Sequence, residues 1–247
     1  MKNSLIGIFL VTLLIPSLCE GQILIGLKGG FNWITPIGNS NNNPYHDATL
    51  KVDQNSFLIS LFIKDRRQGK ITHLGGELEY YQANLSGNQI IGGHGSGTSY
   101  HYNFVLNYLN VIFKPEFVFG SKWRFIINSG VYLSILIGGN STGDWSTYGQ
   151  IPEPTGIIND NVSTYFNPIN LGLLVGFGVE YPLGKRIVLN LSSDGLVGLT
   201  KLAQSSLTEK FFNLFSLQIS CGVAYKIDRI KKIGKNKPQK DLDDVYI

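Results

Sequence analysis

INLGLLVGFGVEYPLG, residues 169–184, places Ile169, Leu171, Leu173, Val175, Phe177, Val179 and Tyr181 at odd positions, and Asn170, Gly172, Gly176, Gly178 and Glu180 at even ones. Successive side chains of a strand point to opposite faces, so this stretch reads as a ribbon with one apolar and one polar side. A helical stripe needs apolar residues three and four apart, and that period is absent throughout the mature chain.

Working outward, seven more segments carry the same alternation. The first spans 23–35, with Ile23, Ile25, Leu27, Phe31 and Trp33 opposing Lys28 and Asn32. The second, 55–64, sets Phe57, Ile59, Leu61 and Ile63 against Leu58, Ser60, Phe62 and Lys64. The third, 71–85, opposes Leu74, Leu78 and Tyr80 to Glu77, Glu79 and Tyr81. The fourth, 100–119, opposes Leu109, Val111, Phe113 and Phe117 to Tyr108, Asn110, Lys114 and Glu116; its Pro115 withholds a ladder hydrogen bond and predicts a bulge or strand end. Segments beginning near Arg124, Arg186 and Asn213 complete the set. Their connections alternate: long at 36–52, 86–99, 139–163 and 200–212, short at 65–70, 120–123 and 182–185.

Short turns on one rim and long polar loops on the other are the pattern of a barrel crossing an outer membrane, with short turns and both chain ends in the periplasm. A soluble sandwich or lipocalin-like barrel alternates too, but crowds its water-facing positions with Lys and Glu. Here the polar face is Gly, Asn and Ser with isolated charges, which suits a narrow lumen. The expected fold is all-β, an eight-stranded antiparallel transmembrane β-barrel of outer-membrane type.

The ends fit export. Lys2, an uncharged run from Leu5 to Ile15, Pro16, and small residues to Gly21 have the layout of a cleaved signal peptide, too short for a retained spanning helix. Leu18 ahead of Cys19 argues against lipidation. The expected organisation is a signal peptide over 1–21, a barrel over 22–227 and a polar periplasmic tail over 228–247. Removing the signal leaves Cys221 alone, so no disulfide framework is expected. Half of the net charge of +4 comes from the tail, and it does not suggest nucleic-acid binding.

GLKGGFNW at Gly26–Trp33, NYLNVIFKPEF at Asn107–Phe117, SGVYLSILIG at Ser129–Gly138 and NLGLLVGFGVEYPLG at Asn170–Gly184 together resemble the Bacteroidetes outer-membrane β-barrel family that includes PorT-like proteins. The resemblance covers nearly all of the mature chain. It departs where the family carries a proline soon after its Tyr-Leu pair, since Val111 and Ile112 stand there, and in the tail. It implies outer-membrane location and an eight-stranded barrel, with no shared catalytic motif; PorT-like members are associated with the type IX secretion system.

Ten inward-facing charges are expected to interdigitate as a plug: Lys28, Lys64, Glu77, Glu79, Lys114, Glu116, Arg124, Glu180, Arg186 and Lys226. An eight-stranded barrel is only wide enough for side chains to fill it. A narrow ion pore and a ligand cavity at the outer rim are the competing readings. For catalysis, the candidates are His46 with Asp47, and His94 with Ser96, Ser99 and His101; no nucleophile elbow or HExxH pair accompanies them. His94 and His101 fall short of a zinc ligand set, and Gly92–Gly97 lacks the Lys-Ser ending of a phosphate cradle and reads as a mobile loop. Trp33, Trp123, Tyr81, Tyr100, Tyr181 and Tyr225 near strand ends are candidates for the membrane interface. No enzyme activity, cofactor or metal is expected. The expected partners are outer-membrane lipid and, through the tail, a periplasmic or secretion-machinery protein, with the barrel itself a monomer.

Overall fold

The computed structural model describes residues 22–38, 46–54, 56–66, 71–93, 95–149, 154–202 and 212–227. The expected signal segment, the tail and His94 lie outside the described residues. The strands are β1 Gln22–Gly38, β2 His46–Gln54, β3 Ser56–Arg66, β4 Thr72–Gly93, β5 Ser96–Phe119, β6 Arg124–Tyr148, β7 Thr155–Asn161, β8 Ile169–Leu183, β9 Ile187–Gly198 and β10 Phe212–Ile227. A single 3-10 turn, Val162–Thr164, precedes β8.

Among the described residues eight strands form a closed ring in the order β4-β3-β1-β10-β9-β8-β6-β5, with β5 returning to β4, and every pairing is antiparallel. Closure leaves the membrane-level strands without a free edge, as hydrocarbon requires. Each ring strand corresponds to one alternating segment of the sequence. The short connections sit on one rim, two of them turned by Gly120 (φ 93°) and Gly184 (φ 84°), where a residue with a Cβ would be strained.

Three of the expected long loops hold further strand. β4, β5 and β6 have 22, 24 and 25 residues, about twice the ~9–11 that cross a bilayer. Beyond the membrane level, β2 takes over from β3 along β4, pairing Val52↔Leu85 to His46↔Ile91, and β7 takes over from β8 along β6. The stretch 86–99 is a continuation of the β4–β5 ladder, which runs to Gly93↔Ser96 and turns at Gly95 (φ 97°). Across 86–89 polar residues on both faces hid the ladder, because a ladder bonded on two sides needs no apolar face. Pro115 ends nothing: it pairs with Leu74, and β5 and β6 keep one register on either side of it. The bulge falls instead between Asn107 and Tyr108, opposite Ile137, which is the extra residue of β6.

That bulge marks a reversal of polarity. Below it the outward residues of β5 are Leu109, Val111, Phe113 and Phe117, and above it Asn107, Val105, Asn103 and His101, three of the four polar. On β4 the change falls between Tyr80 and Gln82, both of which donate to Asn107 Oδ1, at 3.0 and 3.3 Å. The interior changes in the opposite sense, from ion pairs interleaved with two small apolar clusters around Phe62 and Leu174 below, to a larger closed apolar core above, built from Ala83, Leu85, Tyr102, Phe104, Leu106, Ile158, Val162, Phe166 and Leu202. The barrel is therefore inside-out at membrane level and has the ordinary apolar-in arrangement above it.

Candidate functional site

Lumen side chains come from alternate positions of every ring strand, so charges far apart in sequence meet on the barrel axis. Two squares of alternating charge fill the bore. In the upper one, Glu77 on β4 contacts Lys28 on β1 at 2.5 Å and Lys114 on β5 at 2.8 Å; Asp194 on β9 contacts the same two lysines at 3.6 and 3.3 Å. Ser60 Oγ and Asn128 Nδ2 add hydrogen bonds to Glu77 and Asp194, at 2.6 and 3.1 Å. In the lower square, Lys64 on β3 reaches Glu116 on β5 at 3.0 Å and Glu180 on β8 at 3.2 Å, and Arg66 reaches the same carboxylates at 2.8 and 2.5 Å.

β3 and β8, like β4 and β9, are four steps apart in a ring of eight and hence face one another across it. The lower square therefore bridges opposite walls directly, and the upper does so through its lysines. All eight side chains belong to residues no more than 5% exposed, so each charge depends on its partners for solvation. Glu79, 0% exposed, is held by amides: Asn110 Nδ2 and Gln218 Nε2 donate to its Oε1 at 2.9 and 2.8 Å. Beside this layer lies a cavity of about 10 Å³ lined by Tyr81, Asn110, Tyr132, Ser134, Asn170, Ser216 and Gln218 among others. It has room for about one water molecule, and Asn110 Oδ1 and Ser134 Oγ on its wall have no protein partner.

Above the charges the bore is closed by rings. Tyr81 stacks on Tyr108 with centroids 5.2 Å apart, and Phe104 meets Phe166 edge-on at 5.0 Å. Phe166 is brought inward by the 3-10 turn, whose N-cap Asn161 accepts a hydrogen bond from Ser163 N at 3.0 Å. Tyr165 donates to Asp160 at 2.7 Å; partial burial, then the carboxylate, push its phenol well above the usual range, so it stays a donor.

Of the ten charges expected in the lumen, Lys28, Lys64, Glu77, Lys114, Glu116 and Glu180 lie in the squares and Glu79 lies beside them. Three lie outside the squares. Arg186 is exposed in the β8–β9 turn and donates to Tyr225 on the outer face at 2.9 Å, since at the rim a side chain is free to leave the lumen. Arg124, opposite the inward Glu180, and Lys226, opposite the inward Leu24, are half-buried at the short-turn rim. Two members were missed. Arg66 falls in the expected 65–70 turn, although β3 continues through it, and Asp194, in the segment beginning near Arg186, is absent from the expected network. Among the catalytic candidates, His101 is exposed on the outer face, with Nδ1 2.7 Å from Asn88 Oδ1, and His46 lies at the ladder position paired with Ile91. Among the described residues no group of three or more His, Cys, Asp or Glu could hold a metal ion.

A family model described as an outer membrane protein beta-barrel domain matches residues 17–204. No curated protein matches the chain. Among solved structures it is similar to the attachment invasion locus protein Ail of Yersinia pestis, 13% identical over 84% of this chain and 99% of that one, with a TM-score of 0.38. Neisserial surface protein A is 12% identical over 84% and 100% of the two chains, with a TM-score of 0.39. OprG of Pseudomonas aeruginosa is 11% identical over 85% and 97%, with a TM-score of 0.43.

Proposed function

Since the chain belongs to the outer membrane protein beta-barrel domain family, it is an outer-membrane protein, and from that premise we propose that it works there without catalysis, as a filled barrel that displays a rigid extracellular sheet. The observation that carries this reading is the pair of charge squares bridging opposite walls under a closed apolar core. A filled bore passes no ions, and a sheet anchored on β4, β5 and β6 offers a fixed surface for contact outside the cell. Cleavage of residues 1–21 and a periplasmic location for 228–247 belong to the same proposal.

Single-channel recording in a planar bilayer tests it. The native protein should give no steady openings; regular unitary currents would replace the reading with a small pore or passive transporter. The narrower assignment, a PorT-like accessory of type IX secretion in Bacteroidetes, is supported by the resemblance of the strands at Gly26–Trp33 and Asn170–Gly184. Its test is genetic: deletion should abolish export of secreted substrates, and unchanged export would remove it. The non-enzymatic part is supported by the placement of His101 on a flat exposed face with an amide partner. Hydrolysis of a peptide or phospholipid by the purified barrel, lost on His101→Ala, would overturn it.

A further inference from the structure

The short-turn rim carries a second charge pattern, on the outside of the barrel. Lys122 comes from the β5–β6 turn and Lys185 and Arg186 from the β8–β9 turn, and all three are exposed. Because β6 pairs with β8, these turns are neighbours and the three cations form one arc. The acidic residues near this rim, Asp65, Glu116 and Glu180, are all buried, the last two held inside by Lys64 and Arg66. Among the described residues, then, the outer surface of the rim is cationic with no exposed carboxylate to balance it.

Aromatic rings fix the depth of this arc independently. Trp123 packs on Tyr181 with centroids 4.7 Å apart, and the Arg186 guanidinium lies 6.0 Å from the Tyr225 ring while bonding its hydroxyl. Amphipathic rings at the ends of outward apolar strands sit at headgroup level. The backbone carbonyl of Arg186 also accepts from Lys226 N at 2.7 Å, so the turn is tied to its neighbour strand. An arginine held by a ring and a hydroxyl keeps the rest of its planar fork for a phosphate, and adjacent lysines add unspecific attraction.

We infer that this arc binds the phosphodiester headgroups of anionic phospholipids in the periplasm-facing leaflet. The inference needs the orientation of the barrel but not the filled lumen, so it survives if the protein proves to conduct.

Native mass spectrometry of the full chain released from mixed micelles of phosphatidylglycerol and phosphatidylcholine provides the test. The native protein should retain phosphatidylglycerol in preference, and high salt should erase the preference. Replacing Lys122, Lys185 and Arg186 by Gln should reduce it by up to roughly fivefold per cation removed, whereas Lys201→Gln near the opposite mouth should leave it unchanged. Gel mobility with and without heating reports that each variant is folded; if the triple variant is not, Arg186→Gln alone should still lose roughly fivefold. Equal retention of the two lipids by the native chain, an unchanged preference in the folded variants, or full competition by millimolar inorganic phosphate would overturn the inference.

Discussion

Replacing Glu77 by Gln keeps the side-chain volume and removes one charge from the upper square. Lys28 and Lys114 then share Asp194 alone, at 3.6 and 3.3 Å, where each now has a second carboxylate at 2.5 or 2.8 Å. Removing one partner from a buried pair costs about 3–5 kcal/mol; Asp194 retains part of the attraction, so the lower end, about 3 kcal/mol, is expected. That is roughly a hundredfold in the folding equilibrium. Reversible urea unfolding in lipid vesicles, followed by tryptophan fluorescence, measures it. Adding Lys114→Met leaves one cation facing one anion and should recover about half of the loss or more, as uncompensated charge is the cause. Glu79→Gln, two residues along the same strand, lies outside both squares and keeps an acceptor for Asn110 and Gln218, so it should change stability by less than Glu77→Gln does. A loss below about 1 kcal/mol for Glu77→Gln, the size of an exposed pair, or a double variant worse than the single, would refute the account of the lumen.

Phe166→Ala empties the centre of the outer core and should cost about 3–5 kcal/mol there; external protease should then cut within 154–202 while the barrel still runs as folded on a gel. Gly172→Val puts a side chain where the Tyr132 ring lies and should destabilise the barrel by about 1–3 kcal/mol, with recovery when Tyr132 is shortened to Leu. Arg66→Ala leaves Lys64 as the only cation between Glu116 and Glu180 and should lower the urea midpoint more than Arg124→Ala, which lies at the rim; equal shifts would count against the lower square.

The membrane half of the molecule was legible because lipid enforces a strict period of two. Phe125, Ile127 and Val131 face outward as the alternation requires, and so do Leu171, Leu173, Val175 and Phe177. Glu77 and Lys114 were readable as inward from parity alone, but parity does not report which inward charges meet. Lys28, Glu77, Lys114 and Asp194 come from four strands, and their contacts depend on the stagger of the closed sheet. The strands beyond membrane level were illegible for a different reason. Ser86, Asn88 and Gln89 are polar irrespective of face, so that stretch reads like a loop although it is fully laddered. β2 did carry a signal, with Ala48, Leu50 and Val52 alternating against Asp47, Thr49 and Lys51, and shorter windows would have found it. Rim residues such as Arg186 escape parity because nothing confines a side chain beyond the last ladder pair.

The reversal at the β5–β6 bulge has a consequence for where the protein rests. Sliding toward the short-turn side by one pair of residues would drag Asn107 and Gln82 into hydrocarbon, and sliding the other way would wet Leu109 and Leu78. Either displacement is opposed, so the barrel is held in the bilayer to about one repeat of the pleat, roughly 7 Å along the strand. The hairpin tip at Gly95 is thereby carried at a constant distance from the membrane surface, as on a mast stepped into a deck.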